Sequence, residues 1–295
     1  MEAWHLRRLV LALICLAPSF AWGQAWLPDE KTLSFGIVHN DIENNDHYLP
    51  NGDTIDVGHT RVFNDAFSAA YSPSDRWLMS ASIPYVRARY HGTHPHAGTD
   101  IDDGRYRGTF TDLRVELHYQ ALEKPFAFAP FVAAVVPTHN YPTLGHAAPG
   151  RRLEEQWIGF FLGRSLDDWL PRTYIQARYS FAFVEKVIGV THNRSNLDLE
   201  FGYFFNSQWS IRGLASWQRT HGGIDVPVPV KSRFYPYHDQ LAAERFFEVG
   251  GGFAWAVREY ASVYLLYKTS LSGADGHKLN NEFILGLATS FSLGP

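Results

Sequence analysis

From Thr111 to Gln120 the chain reads Thr-Asp-Leu-Arg-Val-Glu-Leu-His-Tyr-Gln. Asp112, Arg114, Glu116 and His118 occupy every second position. On a β-strand they share one face, and Leu113, Val115, Leu117 and Tyr119 share the other. Carboxylate, guanidinium and imidazole groups in such a row can select an ion or a small polar solute, as charged rings do at pore constrictions. The pattern recurs. Gln176 and Arg178 alternate with Ile175, Ala177 and Tyr179, and Asp198 and Glu200 with Leu197, Leu199 and Phe201. Arg212 and Gln218 stand opposite Trp209, Ile211 and Trp217, and Glu248 and Lys268 extend the set.

These side chains need elements that hide one face from lipid. A charge on the lipid face at the bilayer midplane costs about 2–4 kcal/mol. The polar faces must therefore line an interior, and the apolar faces must form an outer wall. The expected fold is all-β: a transmembrane antiparallel up-and-down β-barrel of about 12 strands. The segments fall near 31–39, 60–72, 76–90, 110–122, 126–137, 154–165, 172–185, 195–206, 208–220, 244–257, 259–271 and 280–293. Short turns, such as Pro73-Ser-Asp75, Glu123-Lys124-Pro125 and Asn206-Ser207, alternate with longer stretches at 40–59, 91–109, 138–153, 186–194, 221–243 and 272–279. The long stretches are rich in Gly, Pro, Asn, Asp and His and read as loops on one rim. A meander with one short-turn rim and one long-loop rim matches membrane barrels.

Aromatic spacing supports a membrane. Trp209 and Trp217 share a face eight residues apart, and the interval repeats from Trp77 to Tyr85 and from Phe247 to Trp255. At ~3.3 Å per residue and a tilt of ~40°, it covers roughly 20 Å of height, close to the ~25 Å band between aromatic girdles.

The start of the chain reads as an export signal. Arg7 and Arg8 precede an apolar run from Leu9 to Ala17, and Ala21-Trp22-Gly23 offers small residues for cleavage before Gln24. The expected division is residues 1–23 as signal peptide and 24–295 as barrel. The run is too short to cross a bilayer as a helix. Cys15 is the single cysteine and lies inside it, so the mature chain would hold no thiol. With a formal charge of −4, no basic field recruits nucleic acid.

Several stretches leave alternatives open. Phe128, Phe131, Trp157, Phe160 and Phe161 put apolar groups on both faces of two segments, which means a partly apolar interior or a shifted register. Gly250-Gly251-Gly252 fits a bend or a close approach by a plug, and no helix follows to make it a phosphate loop. The loop from Asp225 to Lys231, with Arg233 to Tyr237 after it, either folds inward as a constriction lined by Arg233 or lies outside against lipopolysaccharide.

Metal-binding candidates are His91, His94 and His96, although their spacing defines no coordination geometry; His47, His59, His146, His221 and His238 share that rim. Asp100, Asp102 and Asp103 beside them leave open a rim hydrolase acting on lipid or peptide. No His-x-Ser pair of the outer-membrane phospholipase kind occurs. No cofactor and no enzyme activity are expected.

Two motifs carry a family resemblance. Gly108-Thr-Phe-Thr-Asp112-Leu113 is similar to a Gly-x-Gly-Asp-Leu strand start, and Pro137-Thr138-His139-Asn140-Tyr141 to a Pro-Thr-Gly-Asp-Tyr strand end. The first lacks the second glycine, and the second carries His-Asn in place of Gly-Asp. From about residue 105 the chain resembles an outer-membrane family named for the meta-cleavage pathway of phenol degradation. The resemblance implies a transporter-like barrel and supplies no catalytic residues.

The expectation is an outer-membrane barrel of a Gram-negative bacterium, in contact with lipid and lipopolysaccharide, that passes or binds small solutes. A filled structural barrel and a soluble exported β-sandwich are the competing architectures. The sequence does not fix the oligomeric state.

Overall fold

The computed structural model describes residues 25–92 and 101–294. The expected signal peptide, Cys15, the cleavage point before Gln24, and His94, His96 and Asp100 lie outside them. The strands are β1 (Thr32–Tyr48), β2 (Thr54–Ile55), β3 (His59–Ser74), β4 (Trp77–His91), β5 (Arg107–Phe110), β6 (Asp112–Tyr119) and β7 (Ala127–Pro137). Then follow β8 (Glu155–Ser165), β9 (Thr173–Val184), β10 (His192–Phe204), β11 (Trp209–Gly222), β12 (Arg245–Arg258), β13 (Ala261–Ala274) and β14 (Gly276–Ser292).

Sequential neighbours pair antiparallel, and β14 pairs with β1 from Thr32↔Ser292 to Tyr48↔Gly276, which closes the sheet. β5 and β6 both pair with β4 and form one stave broken at Thr111; β2 only extends a loop beside β1. The result is a 12-strand barrel with no unpaired edge.

The alternation sorts as expected. Leu113, Val115 and Leu117 are 39%, 43% and 38% exposed on the outer wall, whereas His118 is 4% exposed inside. The eight-residue aromatic interval becomes two rings. Near the short-turn rim Trp209 stacks on Trp255 at 5.3 Å and Trp77 meets Tyr119 at 4.8 Å. Towards the other rim Trp217 pairs in register with Phe247, and Tyr85 meets Phe110 at 5.1 Å.

The strands rise past this band. On the outer face of β1, β3 and β4, His39 contacts Asp65 at 2.6 Å, Arg87 contacts Asp65 at 3.3 Å, and Arg61 contacts Asp41 at 2.7 Å. Such groups belong at headgroup or water level. The first strand thus ends at Tyr48 and not near 39, because polar residues outside the bilayer still carry the backbone ladder.

The expected loop 272–279 is also absent: β13 and β14 are joined through Asp275 alone. Asp275 takes a left-handed φ of 55°, which Asp tolerates better than most residues. Its carboxylate is fully buried and accepts hydrogen bonds from the Val226 N–H (3.1 Å) and Arg245 (2.9 Å).

Much of the interior is packed. Val38, Leu214, Ala254, Tyr264, Leu266 and Ile284 form one apolar cluster inside the wall, and Ala127, Ala129, Phe131, Ala133 and Phe161 form another. Phe131 and Phe161 point inward, and Phe128 and Phe160 meet each other at 5.7 Å on the outer side. The mixed pattern of β7 and β8 therefore reflects a partly apolar interior, not a shifted register. Gly250 admits a close approach: a Cβ there would lie 2.2 Å from the Tyr267 carbonyl oxygen and 2.6 Å from the Lys268 side chain. The contact comes from the neighbouring strand and not from a plug.

Candidate functional site

Between the apolar clusters lies a charged layer. On β6, Arg114 donates to Glu116 at 2.6 Å, and His118 contacts Glu116 at 3.2 Å. Arg178 reaches Glu116 from β9, across two intervening strands, at 3.9 Å. Its guanidinium lies 5.0 Å from the Phe131 ring and 5.5 Å from the Phe161 ring, and His118 stacks on both. The inward phenylalanines thus hold the charges in place by cation–π and stacking contact.

On the opposite wall Lys268 bridges Glu248 at 2.7 Å and Glu282 at 3.4 Å. Arg212 stands 3.9 Å from Glu200, which also accepts hydrogen bonds from Tyr174 and from Gln176 at 3.1 Å. Tyr174 lies flat because Gly202 faces it; a Cβ there would come within 2.1 Å of the ring. Gln218 is half-buried on the inward side of β11. A cavity of about 140 Å³ remains, lined by Arg178, Asp198, Glu248 and Lys268 together with Ser180 and Asn196. Two cations and two anions thus face one small chamber.

The residues named from sequence fall into three groups. Glu116, His118 and Arg178 meet as one network, and Asp198, Glu248 and Lys268 meet around the chamber. Gln176, Glu200 and Arg212 form a third knot. Arg114 also lies 4.4 Å over Trp157. Asp112 stands apart near the loop rim, where it accepts the Tyr141 hydroxyl. Residues missed in the sequence complete the layer: Glu155 pairs with Arg194 at 2.5 Å and accepts from the Trp157 indole at 2.8 Å. The period-two parity was their signal, but Arg194 precedes the expected start of its strand.

Both ends of the interior are covered. At the short-turn rim the Ala25 N–H donates to Gln176 (3.2 Å), the Leu27 N–H donates to Gln120 (2.9 Å), and Gln120 donates back to the Ala25 carbonyl (3.0 Å). Trp26 meets Tyr174 edge-on at 6.4 Å. Below this segment opens a vestibule of about 910 Å³.

At the loop rim the segment after the Pro-rich stretch turns inward, while Pro227, Pro229, Val230 and Lys231 stay exposed. Ile224 pairs with Ala242, and the short helix His238–Leu241 buries His238, Gln240 and Leu241. Gln240 donates to the Arg151 carbonyl at 2.7 Å, and Leu241 packs with Leu153, Ala182 and Val184. Arg233 does not line the interior; it is exposed, 4.7 Å over the Phe234 ring.

No family model matches the sequence, and no curated protein matches it. Solved structures do. The barrel is similar to an outer membrane channel from Pseudomonas putida F1, with a TM-score of 0.71, 12% identity, and coverage of 92% of this chain and 99% of that one. It is also similar to the β domain of the Bordetella autotransporter BrkA (TM-score 0.54, 12% identity, 89% and 100% covered). A third is the translocator domain of the autotransporter NalP from Neisseria meningitidis (TM-score 0.52, 10% identity, 98% and 97% covered). The fold is that of an outer-membrane β-barrel.

On this barrel the rim groups are largely engaged. Asp102 accepts the N–H groups of His146 (3.1 Å) and Ala147 (2.9 Å), and Asp103 pairs with Arg107 at 2.6 Å. His91 stacks on His59 at 5.4 Å and does not join a metal-ligand cluster among the described residues. One Ser–His contact faces outward: Ser195 Oγ lies 2.8 Å from His221 Nε2, near Tyr179 at 3.5 Å. His221 also meets the Phe181 ring, at 5.6 Å between ring centres.

Proposed function

We propose that the barrel is a narrow outer-membrane channel for small polar or ionic solutes, closed in the conformation described. The observation that carries this reading is the chamber at mid-barrel. A barrel serving only as a wall has no need of two cations and two anions around a cavity of about 140 Å³. Balanced charges in a low-dielectric interior can replace part of a solute's hydration while opposing no sign outright. Closure comes from separable parts, the Ala25–Leu27 segment and the inward loop near Leu241, and not from collapse of the wall.

The finer resemblance to the phenol-pathway family belongs to the same proposal. Its two motifs meet here: Asp112 pairs in register with Pro137, Thr138 Oγ1 donates to the Thr111 carbonyl at 2.6 Å, and Tyr141 donates to Asp112. That contact supports a shared way of anchoring the 138–154 loop. Channel lining is assigned to Arg114, Glu116, His118, Gln176, Arg178, Asp198, Glu200, Arg212, Gln218, Glu248 and Lys268. Asp112 lines the approach to it.

Solute entry into protein-loaded liposomes tests the reading. Small polar solutes should enter faster than into empty vesicles, and entry should fall with solute size. Equal rates in loaded and empty vesicles would refute transport. The Ser195–His221 contact favours a second reading, an outer-leaflet hydrolase. Serine-directed fluorophosphonate labelling that disappears in Ser195→Ala would support it, and absence of labelling would remove it.

A further inference from the structure

The loop rim holds a group of side chains that transport does not use. His47 closes β1, and His277 opens β14 directly across the ladder from it. His146 comes from the loop after β7, and Asp239 from the short helix before β12. Their ligand atoms all lie within 4.8 Å of one another. The separations from Asp239 are 3.6 Å to His146, 3.9 Å to His47 and 3.9 Å to His277.

We propose that His47, His146, Asp239 and His277 form a binding site for one divalent transition-metal cation of the zinc type. Three imidazoles and one carboxylate are a donor set suited to Zn²⁺, and also to Ni²⁺ or Cu²⁺; hard cations such as Mg²⁺ prefer oxygen. A tetrahedral ion with bonds of about 2.0–2.1 Å needs ligand atoms roughly 3.3–3.4 Å apart. The distances to the Asp239 carboxylate, 3.6 Å to one oxygen and 3.9 Å twice to the other, exceed this by a few tenths of an ångström, and no pair of ligand atoms is more than 4.8 Å apart.

His47 gives the independent reason. It is 4% exposed, and neither of its ring nitrogens has a hydrogen-bond partner. A buried polar group left so costs about 1–3 kcal/mol. Protonated His–Asp pairing is a poor alternative, because one carboxylate faces four imidazoles when His238 at 3.4 Å is counted. The His277 side chain, 26% exposed, gives the ion a route from solvent.

Bound metal would tie the closing seam of the barrel to both inward loops. It would act as a staple of the outer mouth, whether or not the barrel conducts. Purified chelator-treated protein in detergent, titrated with Zn²⁺ alone, should take up one equivalent per chain by calorimetry and by elemental analysis after dialysis. X-ray absorption of the loaded protein should show three nitrogen ligands and one oxygen. His47→Gln and His277→Gln should each weaken uptake at least tenfold, while His59→Gln should not. No stoichiometric uptake by the folded parent would overturn the site. So would an all-oxygen or thiolate shell, or full uptake by the His47→Gln/His277→Gln pair. The absorption measurement needs no variant and decides the matter if the variants misfold.

Discussion

Asp198 and Lys268 offer a sharp test, since they face the same chamber with opposite charge. With Arg178 and Glu248 the lining balances, so a monovalent ion there sees little net preference. Asp198→Asn leaves one excess positive charge, and Lys268→Gln one excess negative charge. A unit charge about 5 Å from the ion contributes roughly 0.8 kcal/mol at an effective dielectric of ~80 and about 1.7 kcal/mol at ~40. Each acts with opposite sign on an anion and a cation, so the anion–cation permeability ratio should change by about 17- to 270-fold. In a tenfold KCl gradient, starting from no preference, the reversal potential should move by roughly 47 to 58 mV. The directions must oppose: Asp198→Asn towards anions and Lys268→Gln towards cations. Single-channel recording of variants whose folded, heat-modifiable gel mobility matches the parent reads this out. Unchanged potentials in both, or shifts of the same sign, would refute the chamber as the selective point.

Other outcomes follow from the wall, the lower closure and the loop anchor. Val115→Lys places a cation between the aromatic rings on the lipid face and should cost about 2–4 kcal/mol in denaturant titrations of the folded protein in lipid vesicles; no loss would move the membrane band elsewhere. Trp26→Ala removes the edge-on contact with Tyr174 and should raise open probability in bilayer recordings, and an unchanged value would clear this segment of any role in closure. Tyr141→Phe removes the donor to the Asp112 carboxylate and the acceptor of the Arg152 N–H, a loss of about 1.5–3 kcal/mol for the charged bond. The 138–154 loop should then be cut faster by added protease, and equal cleavage rates would contradict the anchor.

The barrel was legible because membrane and water impose opposite demands on alternate residues. Val115 and Glu116 cannot exchange faces once aromatic spacing, loop alternation and the export signal point to a membrane, and parity then orients the strand. The ends of β1 and β14 were not legible. Beyond the bilayer Asp41, Glu43 and Asp46 no longer alternate with greasy residues, yet the backbone ladder continues. The apolar half of the interior was hidden for a related reason: inward Leu266 and Ile284 look like any lipid-facing residue until the register is known. The metal-ligand cluster was the least legible feature. His47, His146, Asp239 and His277 are far apart in sequence, and only barrel closure and two inward loops bring them together. Of the candidates His91, His94 and His96, the last two lie outside the described residues, and His91 stacks on His59.

In the proposed channel, a conductive path runs through the charged layer once the end closures move. Recording the purified, folded parent protein in planar bilayers under applied voltage tests it most directly. Small, discrete, reversible current steps, absent from detergent-only controls, are expected. A correctly folded barrel that inserts and stays silent across the accessible voltage range, with Trp26→Ala equally silent, would contradict it.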